Sequence, residues 1–302
     1  MKEFKPIVVV LLGPTGSGKT ELGIELAERL GLEIHNIDSR QIYKDMDIGT
    51  AKPTKAQQKR VKHLLIDLKP PNEKITVQDF QKTARLSLEK TFKTKKVGFL
   101  VGGSGLYLKA VTHGLCPPAI APQETFRKQL KDLGQKQCHQ LLEQCDPISS
   151  HRISRSDAVR TIRALEVFYA TGQSISSLQS VKPPSWHLLE IGLNPNNLKE
   201  RIFKRSQSMF TSGLIAETEH LINRFGPDLP LLKTIGYEEA SKVIHGELSI
   251  VEAINQTSTR TNRFAKRQRT WFKGQHNPRW LNENNSLCEA LSLIHNVIGL
   301  TR

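Results

Sequence analysis

Hydrophobic positions in the N-terminal third switch between two periods. Ile7–Leu12 (IVVVLL) is an unbroken apolar, β-branched run, the pattern of a strand buried on both faces. Beyond a glycine-rich loop, Leu22, Leu26 and Leu30 repeat at i, i+4, i+8, and the repeat stops at Gly31, which predicts a helix with a glycine end. EIHNID (33–38) reads as a second strand and HLLIDL (63–68) as a third, closed by Pro70-Pro71. Residues 76–92 read as a helix, and VGFLVGG (97–103) as a further buried strand that leads into a helix at SGLYLKAV. Strands alternating with helices imply βαβ units and a parallel sheet. From CPPAIAP (116–122) to about Pro184 the pattern is helical, polar and without buried strands. HLLEIGLNP (187–195) then returns to a strand. The expectation is an α/β chain: a first part of the core over 1–115, a small helical insertion over 116–185, and completion of the core with a basic helical region over 186–302. The longest helix there is expected from Ser249 to about Gly274, followed by a strand-like PRWL.

Composition narrows this. Of 302 residues, 44 are Lys or Arg and 29 are Asp or Glu, a net charge of +15 that suggests a polyanionic partner. No apolar run reaches the ~18–20 residues of a spanning helix. The N-terminal apolar stretch is broken by Pro6 and ends in the glycine loop, so it reads as a strand and not as a signal peptide. Cys116, Cys138, Cys145 and Cys288 form no CxxC pair, which indicates neither a zinc site nor a disulfide framework. A soluble, cytoplasmic protein is expected.

The loop itself carries chemistry. GPTGSGKT (Gly13, Pro14, Thr15, Gly16, Ser17, Gly18, Lys19, Thr20) matches G-x-x-x-x-G-K-[ST] between a strand and a helix. Backbone N–H groups and the helix N-terminus suit a phosphate or diphosphate. Lys19 is placed to reach its oxygens, and Thr20 to ligate Mg²⁺. No acid ends VGFLVGG. Asp67 in HLLIDL is open to two readings, a kinase-type metal acid or an ordinary strand-end residue. In a parallel sheet, ligands gather at the carboxyl ends of the strands. Gly13, Asp38 and Gly102-Gly103-Ser104 all lie at such ends and should converge on one crevice.

Two basic stretches account for much of the charge. Thr259–Arg279 holds Arg260, Arg263, Lys266, Arg267, Arg269, Lys273 and Arg279 without one acid, and Arg260, Arg263 and Arg267 share a helix face. Phe264, Trp271 and Phe272 add packing or stacking surface. HRISRSDAVRTIRALEV in the insertion holds His151, Arg152, Arg155, Arg160 and Arg163. Both suggest phosphate binding in a nucleic acid.

Taken together the motifs resemble the tRNA dimethylallyltransferases (tRNA isopentenyltransferases) of the bacterial type. GPTGSGKT, NIDSRQIYKDMDIGTAKP, LVGGSGLYLKA, RTIRALEVFYATG, KTIGYEE and TRTNRFAKRQRTWF come in family order over nearly the whole chain. DSRQIYKDMDIGTAKP is the most specific of them. The resemblance implies a P-loop NTPase-like fold. It implies transfer of the dimethylallyl group of dimethylallyl diphosphate to the exocyclic amine of adenosine 37, beside the anticodon of tRNA. It assigns general-base work to Asp38 and diphosphate binding to the P-loop, which motif-based naming would call ATP-binding. Thr15 and Ser104 match positions near the reacting groups. Asp38, Ser39, Arg40 and Gln41, then Val159, Arg160, Thr161, Ile162 and Arg163, then Lys233, Thr234, Ile235, Gly236, Tyr237 and Glu238 match tRNA-contacting segments, with Arg127 a further candidate. Mg²⁺ is the implied cofactor, the tRNA anticodon stem-loop the partner, and a monomer the expected state.

The chain departs from the family at Gly16, where Ala is usual, and at Ser104, where Thr is common. It departs again at Val159, where many members have Gln, and at Lys233, where some have Arg. No zinc-finger pattern follows Trp280, which favours the bacterial type. A P-loop small-molecule kinase, a prenyltransferase acting on free adenine nucleotides, and a non-catalytic RNA-binding protein remain the alternatives.

Overall fold

The computed structural model describes residues 5–300. The chain runs β1 (Ile7–Leu12), α1 (Lys19–Leu30), β2 (Ile34–Ile37), α2 (Lys55–Arg60), β3 (His63–Leu64), α3 (Val77–Phe92), β4 (Val97–Gly102) and α4 (Gly105–His113). Next come β5 (Leu115–Cys116), α5 (Glu124–Leu133), α6 (Gln135–Cys145), α7 (Pro147–Arg152), α8 (Ala158–Thr171), α9 (Ile175–Leu178) and β6 (Ser180–Val181). It closes with β7 (His187–Gly192), α10 (Leu198–Thr211), α11 (Leu214–Phe225), α12 (Tyr237–Ile244), α13 (Ile250–Gln275), β8 (Arg279–Trp280) and α14 (Ser286–Leu300). Two compact units result: residues 1–112 with 184–302, and residues 113–183.

In the larger unit one parallel sheet has the order β3-β2-β4-β1-β7-β8. β1 is central, which explains its uninterrupted apolar run. Its residues divide by pleat: Val8, Val10 and Leu12 enter one core cluster with Leu100, Phe80, Leu108 and Phe272, while Ile7, Val9 and Leu11 enter another with Ile24, Phe99 and Ile294. Both faces are therefore covered, as a parallel sheet requires. Thr76 caps α3 and Ser249 caps α13, each with a reciprocal capping box.

The third predicted strand shrinks to two residues. Leu65 (φ 65°) and Asp67 (φ 53°) are left-handed and end it, and residues 67–69 hydrogen-bond instead to Gln41 and Ile42 carbonyls. Asp67 accepts from Lys52 Nζ at 2.6 Å, as does Asp47. Lys52 is buried and also donates to Tyr43 O, so its charge is matched on the spot and the loop is locked.

The smaller unit is helical, with one correction: β5 and β6 pair antiparallel. Its core joins Leu130, Cys138, Leu142, Ile162 and Leu165. Beside that core Glu166, fully buried, receives Arg127 Nε at 2.8 Å and Nη2 at 2.9 Å, the Gln123 N–H at 2.6 Å, and Arg163 Nη1. Arg163 also donates to the Ile120 and Pro118 carbonyls. Burial by itself would raise the Glu166 carboxyl, but these donors outweigh it and hold the group at about 2.

Candidate active site

In the larger unit the strand ends converge on a cavity of about 360 Å³. Thr15, Lys19 and Thr20 line one side, Asp38 to Gln41 and Gly102 to Ser104 another, and Ile202, Arg205, Met209, Lys233, Thr234 and Ile235 close it with the face of α13 that carries Thr257, Thr261, Phe264 and Gln268. The 4-3-4 spacing of those last four puts them on one helical stripe.

The phosphate loop owes its curl to Gly16 (φ 79°) and Gly18 (φ 91°), left-handed conformations that a side chain would strain. At Gly16 an added Cβ would also lie 3.0 Å from Ile202 Cγ1, so this chain's departure from Ala suits its own neighbour. Lys19 Nζ donates to Pro14 O at 2.7 Å and Ser17 Oγ at 3.3 Å. Burial, and then the Arg205 guanidinium, push the Lys19 ammonium down to about 7, against the pull of Asp38. Burial likewise lowers Arg205, with Asp38 opposing. Lys19, Arg40, Arg205 and Lys233 thus line one cavity in which Asp38 is the one lining carboxylate, an arrangement that favours an anion.

Asp38 Oδ1 accepts from the N–H groups of Arg40 (2.8 Å) and Gln41 (3.3 Å), which leaves Oδ2 outside these bonds. Ser104 Oγ accepts the Ser39 N–H at 3.0 Å. Gln41 is spent on the protein: Nε2 donates to the Thr50 and Ala51 carbonyls, and Oε1 accepts from Asn36. That chain fixes the Asn36 amide so that its buried Oδ1 has no protein partner, and Thr257 Oγ1 shares this condition. Both residues line the cavity, and each unpartnered buried polar atom is a cost a ligand can remove.

Several predicted site residues lie elsewhere. Arg260 pairs with Glu238 and Glu239 of α12, so the acids absent from 259–279 are supplied by the preceding helix; only Arg263 and Arg267 of the predicted trio are exposed. Tyr237 is fully buried and donates to Glu217 Oε1 at 2.6 Å, and the same carboxylate receives the N–H groups of residues 47–49. Gly236 donates to Glu239 Oε2. Thus Lys233 to Ile235 reach the cavity, whereas Gly236, Tyr237 and Glu238 hold the framework. In the smaller unit, of the residues matched to tRNA-contacting segments, Thr161 and Ile162 are buried, and Arg127 and Arg163 are partly exposed and tied to Glu166. Val159, 81% exposed, and Arg160 are at the surface. Arg205 and Gln268 were missed. Each sits in a basic, helical stretch where its cavity-facing position is visible only once helices are packed; the signal available was KERIFKRSQSMF for Arg205 and the 259–279 stretch for Gln268.

A P-loop at the leading strand end of a fully parallel sheet, with the ligand cavity at the carboxyl edge, defines the P-loop NTPase-like fold. The sequence profile of the IPP transferase family matches residues 41–275, and the chain belongs to that family. A protein of Prochlorococcus marinus (strain MIT 9211) called tRNA dimethylallyltransferase is 67% identical over 298 residues, covering 99% of this chain and 100% of that one. Another so named, from Synechococcus sp. (strain CC9902), is 54% identical over 98% of this chain and 99% of its own. Among solved structures, the tRNA isopentenylpyrophosphate transferase of Bacillus halodurans aligns with a TM-score of 0.70 at 34% identity, over 98% of this chain and 97% of that one. Among the described residues no helix is long and apolar enough to cross a membrane.

Proposed function

We propose that this protein is a monomeric, cytoplasmic enzyme that transfers the dimethylallyl group of dimethylallyl diphosphate to the exocyclic N6 amine of adenosine 37 in tRNA, within the anticodon stem-loop. The observation that carries the reading is that Lys19, Arg205 and Asp38 line one cavity and act electrostatically on one another. The amine nitrogen attacks the allylic carbon, the carbon–oxygen bond to diphosphate breaks, and the electron pair leaves with diphosphate. An aromatic amine is a weak nucleophile that gains positive charge as it attacks. The Asp38 oxygen not engaged by the Arg40 and Gln41 N–H groups accepts its proton. Lys19, Arg205 and loop N–H groups stabilise the charge growing on the leaving diphosphate. The target base leaves its stack to reach a cavity of this depth.

The residues suit Mg²⁺: the cavity offers the Thr20 hydroxyl, a hard oxygen donor, and no Cys or His lines it. Thr20 would hold the ion, and the bound ion would neutralise diphosphate charge.

A kinase reading would need Asp67, but Asp67 is locked to Lys52 and is not among the cavity residues. The test is incubation with labelled dimethylallyl diphosphate and Mg²⁺, together with unmodified tRNA, AMP or ATP. Label is expected in tRNA alone. Label in AMP, or phosphate transfer from ATP, would overturn the proposal.

A further inference from the structure

One side chain of the basic helix is tied to the strand-end segments of both β1 and β4 that line the cavity. Gln268 of α13 is buried. Its Oε1 accepts the Thr15 N–H of the phosphate loop at 2.8 Å, and its Nε2 donates to Gly103 O at the end of β4 at 2.7 Å. The orientation of the amide follows from chemistry, since the Thr15 N–H only donates and the Gly103 carbonyl only accepts. There is no slack at the junction. A Cβ added at Gly103 would lie 2.8 Å from Gln268 Nε2, 3.3 Å from Gly13 O and 3.8 Å from Lys19 Nζ. From Gly103 the connection continues to the base: Ser104 Oγ accepts the Ser39 N–H, and the Ser104 N–H donates to Ile37 O, on either side of Asp38.

The Thr15 N–H is consequently committed to protein and is not one of the loop donors offered to an anion. Its partner amide joins the loop that would hold the diphosphate to the end of β4, and Ser104 there bonds the residues on either side of Asp38. We propose that Gln268 is a positioning residue for group transfer: its amide fixes the separation of the leaving-group loop from Asp38 by acting through the Thr15 and Gly103 backbone groups that it holds. This rests on the reading of the cavity as a dimethylallyl-transfer site. Reacting atoms must be held close to the attack geometry, and small displacements are costly in rate. The same helix exposes Arg263 and Arg267, so the residue that sets the geometry is carried by an element with phosphate-binding charge.

Gln268→Met removes both hydrogen bonds at nearly constant volume. With dimethylallyl diphosphate, Mg²⁺ and unmodified tRNA, kcat is expected to fall on the order of tenfold to a hundredfold, with the KM of each substrate within about threefold of the parent. Gly103→Ala disturbs the same junction with Gln268 intact and keeps the inference testable where the first variant folds poorly; its kcat should fall in the same way. Because both changes break one connection, the double variant should lose little more than the worse single one. Parental kcat in Gln268→Met, a loss confined to the KM of dimethylallyl diphosphate, or multiplicative losses in the double variant would each overturn the proposal. Failure of the unaltered enzyme to label tRNA would instead overturn the functional reading beneath it.

Discussion

Lys19 and Arg205 of the cavity and Arg127 of the smaller unit respond to their surroundings in opposite directions. Lys19 and Arg205 are pushed down by burial, and Lys19 also by its neighbouring cation. Arg127 is pushed up by its hydrogen bonds to Glu166. Lys19 and Arg205 share a cavity whose one lining carboxylate is Asp38; Arg127 has its counter-charge, Glu166, built in. A basic residue whose charge is already answered contributes to folding, and one whose charge is not answered is available to a ligand. The number of arginines in a segment therefore says less about binding than where the nearest carboxylate lies.

The largest effect expected on this contrast is at the one carboxylate facing the cavity cations. Asp38→Ala should lower dimethylallyl transfer by about a thousandfold, within the usual range for general-base removal, while filter-binding affinity for tRNA stays within a few fold. A collapse of affinity would make Asp38 a recognition residue.

Next is the answered charge. Glu166→Ala leaves Arg127 and Arg163 facing a buried gap, and should destabilise residues 113–183 by about 3–5 kcal/mol; hydrogen exchange would localise the loss. The wild-type ion pairs also predict a pH window. Because the folded carboxyl lies at about 2, below its ordinary 4.5, its contribution is complete above about pH 4.5. It is lost as the pH falls from there toward 2, and amounts to at most roughly 3 kcal/mol. Acid unfolding of Glu166→Gln that shows the same pH slope as wild type would contradict this.

Arg205→Gln comes third. Removing one unanswered cation should lower kcat/KM for dimethylallyl diphosphate about a hundredfold, with tRNA affinity nearly unchanged. Equal losses for both substrates would place Arg205 on the tRNA path.

The smallest effect is at the surface. Arg263→Ala with Arg267→Ala should weaken tRNA binding by about tenfold and reduce the slope of log affinity against log salt by roughly 0.7–0.9 for each phosphate that is no longer neutralised. An unchanged slope would remove this face of α13 from the tRNA-binding surface.

Much of this site is local in sequence. The β1 run, the phosphate loop and Asp38 at the end of β2 are each readable from a few consecutive residues, because strand burial, left-handed glycines and strand ends are short-range properties. Their meeting at one edge follows from parallel topology. HLLIDL misled because its apolar pattern suits a strand, whereas two left-handed residues and the Lys52 ion pairs end that strand after His63-Leu64. The ion pairs of Arg260 and Arg163 have different origins: their acidic partners lie on α12 in the first case and one helical turn further along α8 in the second.

The alternation of strands and helices, the phosphate loop, the excess of positive charge and the carboxylate that follows β2 are all written in the order of the residues. Periodicity and backbone preference are carried residue by residue, so no neighbour is needed to read them. Packing settled which acids answer Arg127 and Arg260, which oxygens are left without a partner, and that Gln268 ties the phosphate loop to the end of β4. Those outcomes depend on distances of a few ångströms between segments up to 253 positions apart in the chain. Charge and hydrogen bonding act over that range in space, and only the folded chain brings such segments together.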